Sequence, residues 1–377
     1  MMEEQKGIRL SDSQRLSWLR LIRSENVGPV TFRHLIAHYG SATDALEMLP
    51  VLVRRGGGRR PIKIASLGDA EREMAIAARM GAVFVGIGEP DYPCTLRQSD
   101  NPPPLVAIKG DPDVFRLPAV AIVGARNASL VGIKFARIIA RELGEAGYAV
   151  ISGLARGIDR AAHEASLDTG TVAVMAGGLD KPYPPDNLEL FRAIPHRRGA
   201  VISEMPFGWE PRARDFPRRN RIIAALSLGL LVVEAAERSG SLISARLAGE
   251  LGRLVFAIPG SPLDPRAKGT NALLKNGAIL VTETSDILSA ISPLLDRPGL
   301  DDTAFLAPEA DFPTIAQPNE TDRDRVITLL GPAPVDIDEL IRTSGIHPAA
   351  MSLILLELDL AGRLQRHSGG YVSLLYG

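Results

Sequence analysis

Ala119-Val120-Ala121-Ile122-Val123 runs directly into Gly124-Ala125-Arg126-Asn127-Ala128-Ser129-Leu130-Val131-Gly132, and the helical pattern Ile133–Ala146 follows. An unbroken apolar run of this kind, β-branched in good part, reads as a strand buried on both faces, as strands of a parallel sheet are. The unit recurs. Ala149–Ser152, Thr171–Met175, Ala200–Ser203, Leu230–Glu234, Leu254–Ile258 and Ala278–Val281 are further short apolar runs. Ile158–Asp168, Leu188–His196, Ile222–Leu228 and Leu242–Leu251 carry helical periodicity between them. An additional strand, Val83–Ile87, precedes Tyr92-Pro93 and a Pro102-Pro103-Pro104 turn. Repeated β-α-β units predict an α/β fold with a doubly wound, mainly parallel sheet over residues 75–290.

The whole chain has 377 residues, enough for two or three domains at about 150 residues each. With 45% hydrophobic and 23% charged residues it has the composition of a folded globular protein rather than a disordered one. Lys and Arg total 43 against 44 Asp and Glu, a formal net charge of −1, so a polyanion site has to be made by local clustering. One cysteine, Cys94, excludes an internal disulfide framework and any multi-cysteine metal site, and no metal or other cofactor is expected. Met1 to Leu10 lacks the apolar core of a signal peptide, and Ala224–Val233 is far shorter than the ~20 residues that cross a bilayer. A soluble cytoplasmic protein without membrane contact is expected.

On either side of the sheet region the pattern changes. Leu16, Leu19 and Ile22, then the turn Asn26-Val27-Gly28-Pro29, then Phe32, Leu35, Ile36 and Tyr39 make two short amphipathic helices, so residues 1–60 are expected to form a helical module like a SAM or helix-hairpin-helix domain. Arg54-Arg55-Gly56-Gly57-Gly58-Arg59-Arg60 reads as a flexible, solvated basic loop. Residues 291–321 lose apolar periodicity and collect proline and acidic side chains, as an extended linker does. Residues 322–377 regain it as three helices and a hairpin turned at Gly369-Gly370, the outline of a winged helix. Its third helix, His347–Leu360, holds no Lys or Arg, which argues against duplex reading and makes a protein-interaction role at least as good a fit.

In an open parallel sheet, ligands bind beyond the carboxyl ends of the strands. The loops expected there are rich in Gly, Ser and Arg. Gly124 to Gly132 matches neither a dinucleotide fingerprint nor a P-loop, yet it sets Arg126 and Ser129 at a helix start, which suits a phosphate. Ser152-Gly153-Leu154-Ala155-Arg156-Gly157 is a second such loop; His163 and Glu164 beyond it point apart on their helix and are not a catalytic pair. Gly177 to Asn187 supplies Lys181 and Tyr183. Glu204 to Arg221 interleaves Arg212, Arg214, Arg218, Arg219 and Arg221 with Phe207, Trp209 and Phe216, and these five arginines stand against Glu210 and Asp215. Cations for a backbone and rings for base faces are the mixture that holds single-stranded nucleic acid. Ser239-Gly240-Ser241 opens another helix with small hydroxyl residues. The candidate nucleic-acid-contacting residues are therefore Arg126, Ser129, Gly153, Arg156, Lys181, Arg212, Arg218, Asn220, Arg221, Gly240 and Ser241; no catalytic and no metal-binding residue stands out.

Several of these loops together resemble the bacterial DNA-processing protein A family (DprA, also called Smf). The matching stretches are Val123-Gly124-Ala125-Arg126, Ser152 to Asp159, Phe216-Pro217-Arg218-Arg219-Asn220-Arg221-Ile222-Ile223-Ala224, Ser239-Gly240-Ser241-Leu242, Val255 to Gly260, and Gly269-Thr270-Asn271. The resemblance implies an extended Rossmann-like fold that binds single-stranded DNA, a homodimer formed through that domain, and loading of a RecA-type recombinase during natural transformation. Carried over by position, it implies a DNA pocket lined by Arg126, Lys181, Arg218, Asn220 and Arg221. Where the family often has Ser and an aromatic in the first loop, Ala125 and Val131 stand here.

A second reading stays open at this point: a Rossmann-type nucleotide-processing enzyme similar to phosphoribohydrolases, with Glu234 near Gly240 at a sugar, although the P-G-G-x-G-T-x-x-E signature is missing. A third, duplex recognition through the winged helix, is opposed by the uncharged third helix.

Overall fold

A computed structural model of the chain describes residues 9–295 and 318–375. In chain order, α1 (Asp12–Arg23), α2 (Pro29–Tyr39), α3 (Ala42–Arg55) and α4 (Leu67–Arg79) come first. β1 (Val83–Gly86), α5 (Cys94–Arg97), β2 (Leu105–Gly110), β3 (Ala119–Val123), α6 (Leu130–Glu145), β4 (Ala149–Ser152), α7 (Ile158–Ser166) and β5 (Thr171–Val174) follow. Then come α8 (Leu188–Ala193), β6 (Gly199–Ser203), α9 (Asp215–Ala225), β7 (Gly229–Val232), α10 (Gly240–Glu250), β8 (Leu254–Ala257), α11 (Lys268–Lys275), β9 (Ile279–Leu280) and α12 (Thr284–Leu295). The last elements are α13 (Glu320–Leu329), β10 (Val335–Asp336), α14 (Ile337–Ser344), α15 (Pro348–Leu360), β11 (Leu364–Arg366) and β12 (Tyr371–Leu374). The described residues fall into two units: 73–295 with Arg9, and 10–72 with 318–375. Most of the segment expected as a linker, 296–317, lies outside the described residues; 291–295 complete α12.

In the first unit the strands form one sheet in the order β1-β2-β6-β5-β4-β3-β7-β8-β9. All pairs from β6 to β9 are parallel, so the expected doubly wound α/β sheet is present. The continuous apolar runs are explained by burial on both faces. Ala119, Ala121 and Val123 of β3 enter one core with residues of α9 and α10, while Val120 and Ile122 enter the other with residues of α6 and α7. The wrap reverses at β3, which pairs with β4 on one side and β7 on the other, with Val123 opposite Val232.

Two elements differ from expectation. β2, which follows the triple proline, was not foreseen; it pairs antiparallel with both β1 and β6, for example Ile108 opposite Ile202. The helix expected at Ile222–Leu228 begins seven residues earlier, at Asp215, so much of the basic-aromatic segment is helical rather than loop.

The second unit joins the amino-terminal helices to the winged helix. α15 is apolar around its whole circumference and buried along nearly its whole length, as such a helix has to be. Leu353, Leu356 and Leu360 pack with α1 to α3, and Ala350, Met351, Ile354, Leu355 and Leu358 with the winged-helix core. The helix that reads a groove in other winged helices is here a strut between two cores. Glu357 on it accepts two bonds from Arg323, at 2.7 and 2.8 Å, and both side chains are buried. The expected flexible loop at Arg54–Arg60 is instead a fixed turn. α3 continues to Arg55, and Gly56 and Gly58 donate to the carbonyls of Leu52 and Val53, each at 2.9 Å. Glycine is required because the backbone of α15 lies so close. A Cβ on Gly56 would sit 2.0 Å from the Glu357 carbonyl oxygen.

Among the described residues no helix is long and apolar enough to cross a membrane, and no group of three or more His, Cys, Asp or Glu side chains could hold a metal ion.

Two predictions follow from packing. Gly56→Ala is expected to destabilise the second unit by about 1–3 kcal/mol through overpacking against backbone that cannot yield, read as a lowered melting temperature. His163 is fully buried, with Nδ1 2.7 Å from Thr171 Oγ1; burial, reinforced by the Arg219 charge, holds its pKa down at about 3. The fold keeps this ring neutral, whereas the unfolded chain protonates it near pH 6.5. Its contribution is therefore complete above pH 6.5 and is lost progressively as pH falls toward 3. In urea unfolding at pH 7 and pH 5, the wild type should lose about 2 kcal/mol more than His163→Met between the two.

Candidate nucleic-acid interface

A cavity of about 450 Å³ opens where the wrap reverses, beyond the carboxyl ends of β3 and β7. This is the crevice that doubly wound sheets use for ligands. One wall is the turn after β3, with Arg126 and Asn127; another is the start of α10, with Arg238, Ser239, Gly240 and Ser241. α9 supplies Phe216, Arg219, Asn220 and Ile223, spaced i, i+3, i+4 and i+7 and therefore on one face of the helix. Arg266 completes the rim. A smaller adjoining cavity shares Arg126, Phe216 and Arg219 and adds Gly153, Arg156 and Tyr183. The guanidiniums of Arg126 and Arg219 lie over the Phe216 ring, at 5.2 and 5.8 Å from its centre.

Two of the three glycine-containing helix starts already hold an anion of the protein's own. Ser129 caps α6, but its N–H donates to Glu234 at 2.9 Å and its hydroxyl donates to the same carboxylate. A Cβ on Gly132 would meet that carboxylate at 2.6 Å. In the second loop the N–H groups of Gly153 and Ala155 both donate to Asp159 Oδ2, at 3.1 and 3.3 Å. Burial pushes the Asp159 carboxyl up, against the pull of the Arg219 charge. The expectation that these loops receive a phosphate therefore meets Glu234 and Asp159 in its place. The start of α10 is different. Ser239 caps it through the Ser241 N–H, no carboxylate among the described residues bonds to it, and a Cβ on Gly240 would meet nothing within 4 Å.

The arginines also divide. Arg219, buried, donates from Nη1 to the carbonyls of Gly153 (2.5 Å) and Val174 (2.8 Å), joining the ends of β4 and β5. Burial lowers its pKa to about 10, which leaves it cationic at neutral pH. Arg221 donates to the buried Glu204 and, at 2.7 Å, to the Asn101 carbonyl; its side chain is 24% exposed and lines neither cavity. Arg218 shares Glu204 at 2.9 Å but is 48% exposed. Arg212 lies over the Trp209 ring at 4.7 Å, and Asp215 fixes that loop by accepting from the Trp209 indole and the Arg212 N–H, both at 2.9 Å. Lys181 is 3.8 Å from Glu210, and Arg156 is 3.9 Å from Asp186, all exposed. Arg126 and Arg238 have no acidic partner among the described residues.

Of the residues singled out from sequence, Arg126, Asn220, Gly240 and Ser241 meet in the main cavity, and Gly153 and Arg156 in the smaller one. Ser129, Lys181, Arg212, Arg218 and Arg221 line neither. Sequence reasoning missed Arg238, Arg266 and the plugging carboxylates. Arg238 directly precedes Ser239-Gly240-Ser241, a position that could have marked it.

Comparison with known proteins agrees with this architecture. The DNA recombination-mediator protein A family matches residues 83–292, a DprA-like N-terminal HHH domain matches 12–76, and a DprA winged helix domain matches 310–370. Protein Smf of a Synechocystis species is 31% identical over 394 aligned residues, which cover 96% of this chain and 98% of that protein. The X-ray structure of DNA processing protein A from Streptococcus pneumoniae aligns with a TM-score of 0.61 at 35% identity, over 75% of this chain and 98% of that one. The Helicobacter pylori protein, described for its unique single-stranded DNA binding mode, aligns with a TM-score of 0.52 at 28% identity, over 56% of this chain and 96% of that one. With helical module, sheet and winged helix matched in order along one sequence, this chain belongs to the DNA recombination-mediator protein A family.

Proposed function

We propose that the protein is a non-catalytic binder of single-stranded DNA that holds the strand at the arginine-walled cavity between the ends of β3 and β7. One observation carries this reading. Arg126 and Arg238, unpaired with any acid among the described residues, face the same cavity as the Phe216 ring and the start of α10, which Ser239 caps and to which no carboxylate of the described residues bonds. Cations and helix N–H groups suit phosphates, and a ring in reach suits an unstacked base. The single-stranded DNA binding described for the Helicobacter relative supports it. By family resemblance the proposal extends to a cytoplasmic homodimer formed through the sheet unit, which passes the strand to a RecA-type recombinase in DNA recombination and natural transformation. Against the enzyme reading stands the engagement of both carboxylate oxygens of Glu234 by Ser129.

The arginines should separate by role. Arg126→Ala is expected to weaken binding of an oligo-dT about tenfold or more and to lower the slope of log K against log salt by about one, with thermal stability unchanged. Binding equal to wild type in a salt-series anisotropy titration would refute the cavity assignment. Arg221→Ala should do the reverse. It removes one partner of the buried Glu204 and is expected to cost about 1–3 kcal/mol of stability while leaving the salt slope intact. Thermal melts alongside the same titration check it.

A further inference from the structure

Among the described residues, the three most exposed large apolar side chains are Leu263 (92%), Leu130 (86%) and Val131 (77%). Single exposed aliphatics are commonplace. These three are carried by two segments that are each tied to the same strand end. Leu130 and Val131 are the first two residues of α6, immediately beyond the turn that carries Arg126 and Asn127 into the cavity wall. Leu263 lies in the loop that leads to Arg266, another wall residue. Both segments are tied to the end of β7. Glu234 accepts from Ser129 and lies against Gly132, and its charge acts on Arg266; the next residue, Ala235, donates its N–H to the Arg266 carbonyl at 2.7 Å. The two segments are thus held at one strand end, with their aliphatic side chains in solvent.

We infer that Leu130, Val131 and Leu263 form an apolar lip on which the bases of a single strand lie where it leaves the cavity. This rests on the single-stranded DNA reading above. The charge of the adjoining wall selects the occupant: Arg126 and Arg238 call for a polyanion, and an unpaired polynucleotide is one that also offers apolar faces and thymine methyl groups within a residue's reach of each phosphate. Duplex DNA hides those faces in its stack. The lip adds base contacts to a wall that contacts phosphates, so it strengthens binding without adding to its salt dependence.

The test is a variant carrying Leu130→Gln, Val131→Gln and Leu263→Gln, positions exposed enough for the fold to tolerate them. Its melting temperature and its molar mass in solution are compared with wild type. Binding is measured over a salt series to a labelled oligo-dT and to an abasic oligodeoxynucleotide of equal length, with Arg126→Ala in parallel. The triple variant is expected to bind oligo-dT about tenfold more weakly, to bind the abasic strand as wild type does, and to keep the same salt slope. Unchanged binding to oligo-dT, or equal loss on both strands, overturns the lip. So does a change of molar mass with oligo-dT affinity intact, which would make these residues a protein–protein contact. If Arg126→Ala and wild type bind oligo-dT equally, the cavity reading itself fails, and the lip falls with it.

Discussion

A guanidinium buried at the carboxyl ends of β4 and β5 sets the position of everything above it. Arg219 reaches from α9 to the carbonyls of Gly153 and Val174, with the Asp159 carboxylate as its countercharge. Burying an isolated charge costs several kcal/mol, so such an arrangement persists only where hydrogen bonds and an opposite charge surround it. It also demands the glycine, since a Cβ on Gly153 would lie 2.0 Å from Nη1. Once Arg219 is anchored, the helical repeat does the rest. Phe216, Asn220 and Ile223 share its face and are delivered to the cavity, while Arg218 and Arg221 turn toward Glu204.

The carboxylates matter as much as the arginines. Backbone N–H groups at the starts of helices attract anions. Glu234 and Asp159 satisfy those groups at the first two turns and stiffen them. The turn bearing Arg126 is thereby held by an internal bond instead of waiting for a ligand to order it. Preorganisation of this kind lowers the ordering cost of binding. The start of α10 has no carboxylate on it among the described residues, and it faces the cavity.

Much of the architecture was legible because burial on both faces of a parallel sheet writes itself as runs such as Ala119–Val123 and Leu230–Val233. β2 was obscured by Pro102-Pro103-Pro104, which reads as a turn even though Leu105–Ile108 beside it is as apolar as any central strand. The full length of α9 was hidden by Arg214, Asp215 and Pro217, residues typical of loops that here occupy the preceding turn and the first helical turn. The candidate site was legible at Arg126 and Gly240, which sit where a loop meets a helix, and at Asn220, which α9 carries to the same cavity. It was not legible at Arg221, whose partner Glu204 opens the same stretch 17 residues earlier but becomes a neighbour only when β6 and α9 are in place. The role of α15 could be read halfway: its lack of Lys and Arg argued against groove reading, but nothing local showed that Leu353 and Leu356 would pack with helices more than 300 residues earlier in the chain.

Net charge alone would have pointed away from DNA. At −1 the molecule exerts no general attraction on a polyanion, and at physiological salt fields are screened over about 8 Å. What counts is which cations lie within that distance of one another and are not neutralised. Across the sheet unit most arginines are cancelled on the spot: Arg137 and Arg160 by Glu164, Arg197 by Asp168, Arg246 by Glu250. The same cancellation operates inside the Phe216–Arg221 motif, where Arg219 and Arg221 serve the fold. An arginine-rich motif is therefore a poor guide to its own contacts until the carboxylates that face it are located. Here, among the described residues, locating Glu204, Asp159 and Glu234 leaves Arg126 and Arg238 without an acidic partner at one cavity, so a nearly neutral protein still presents uncompensated cations together at that place.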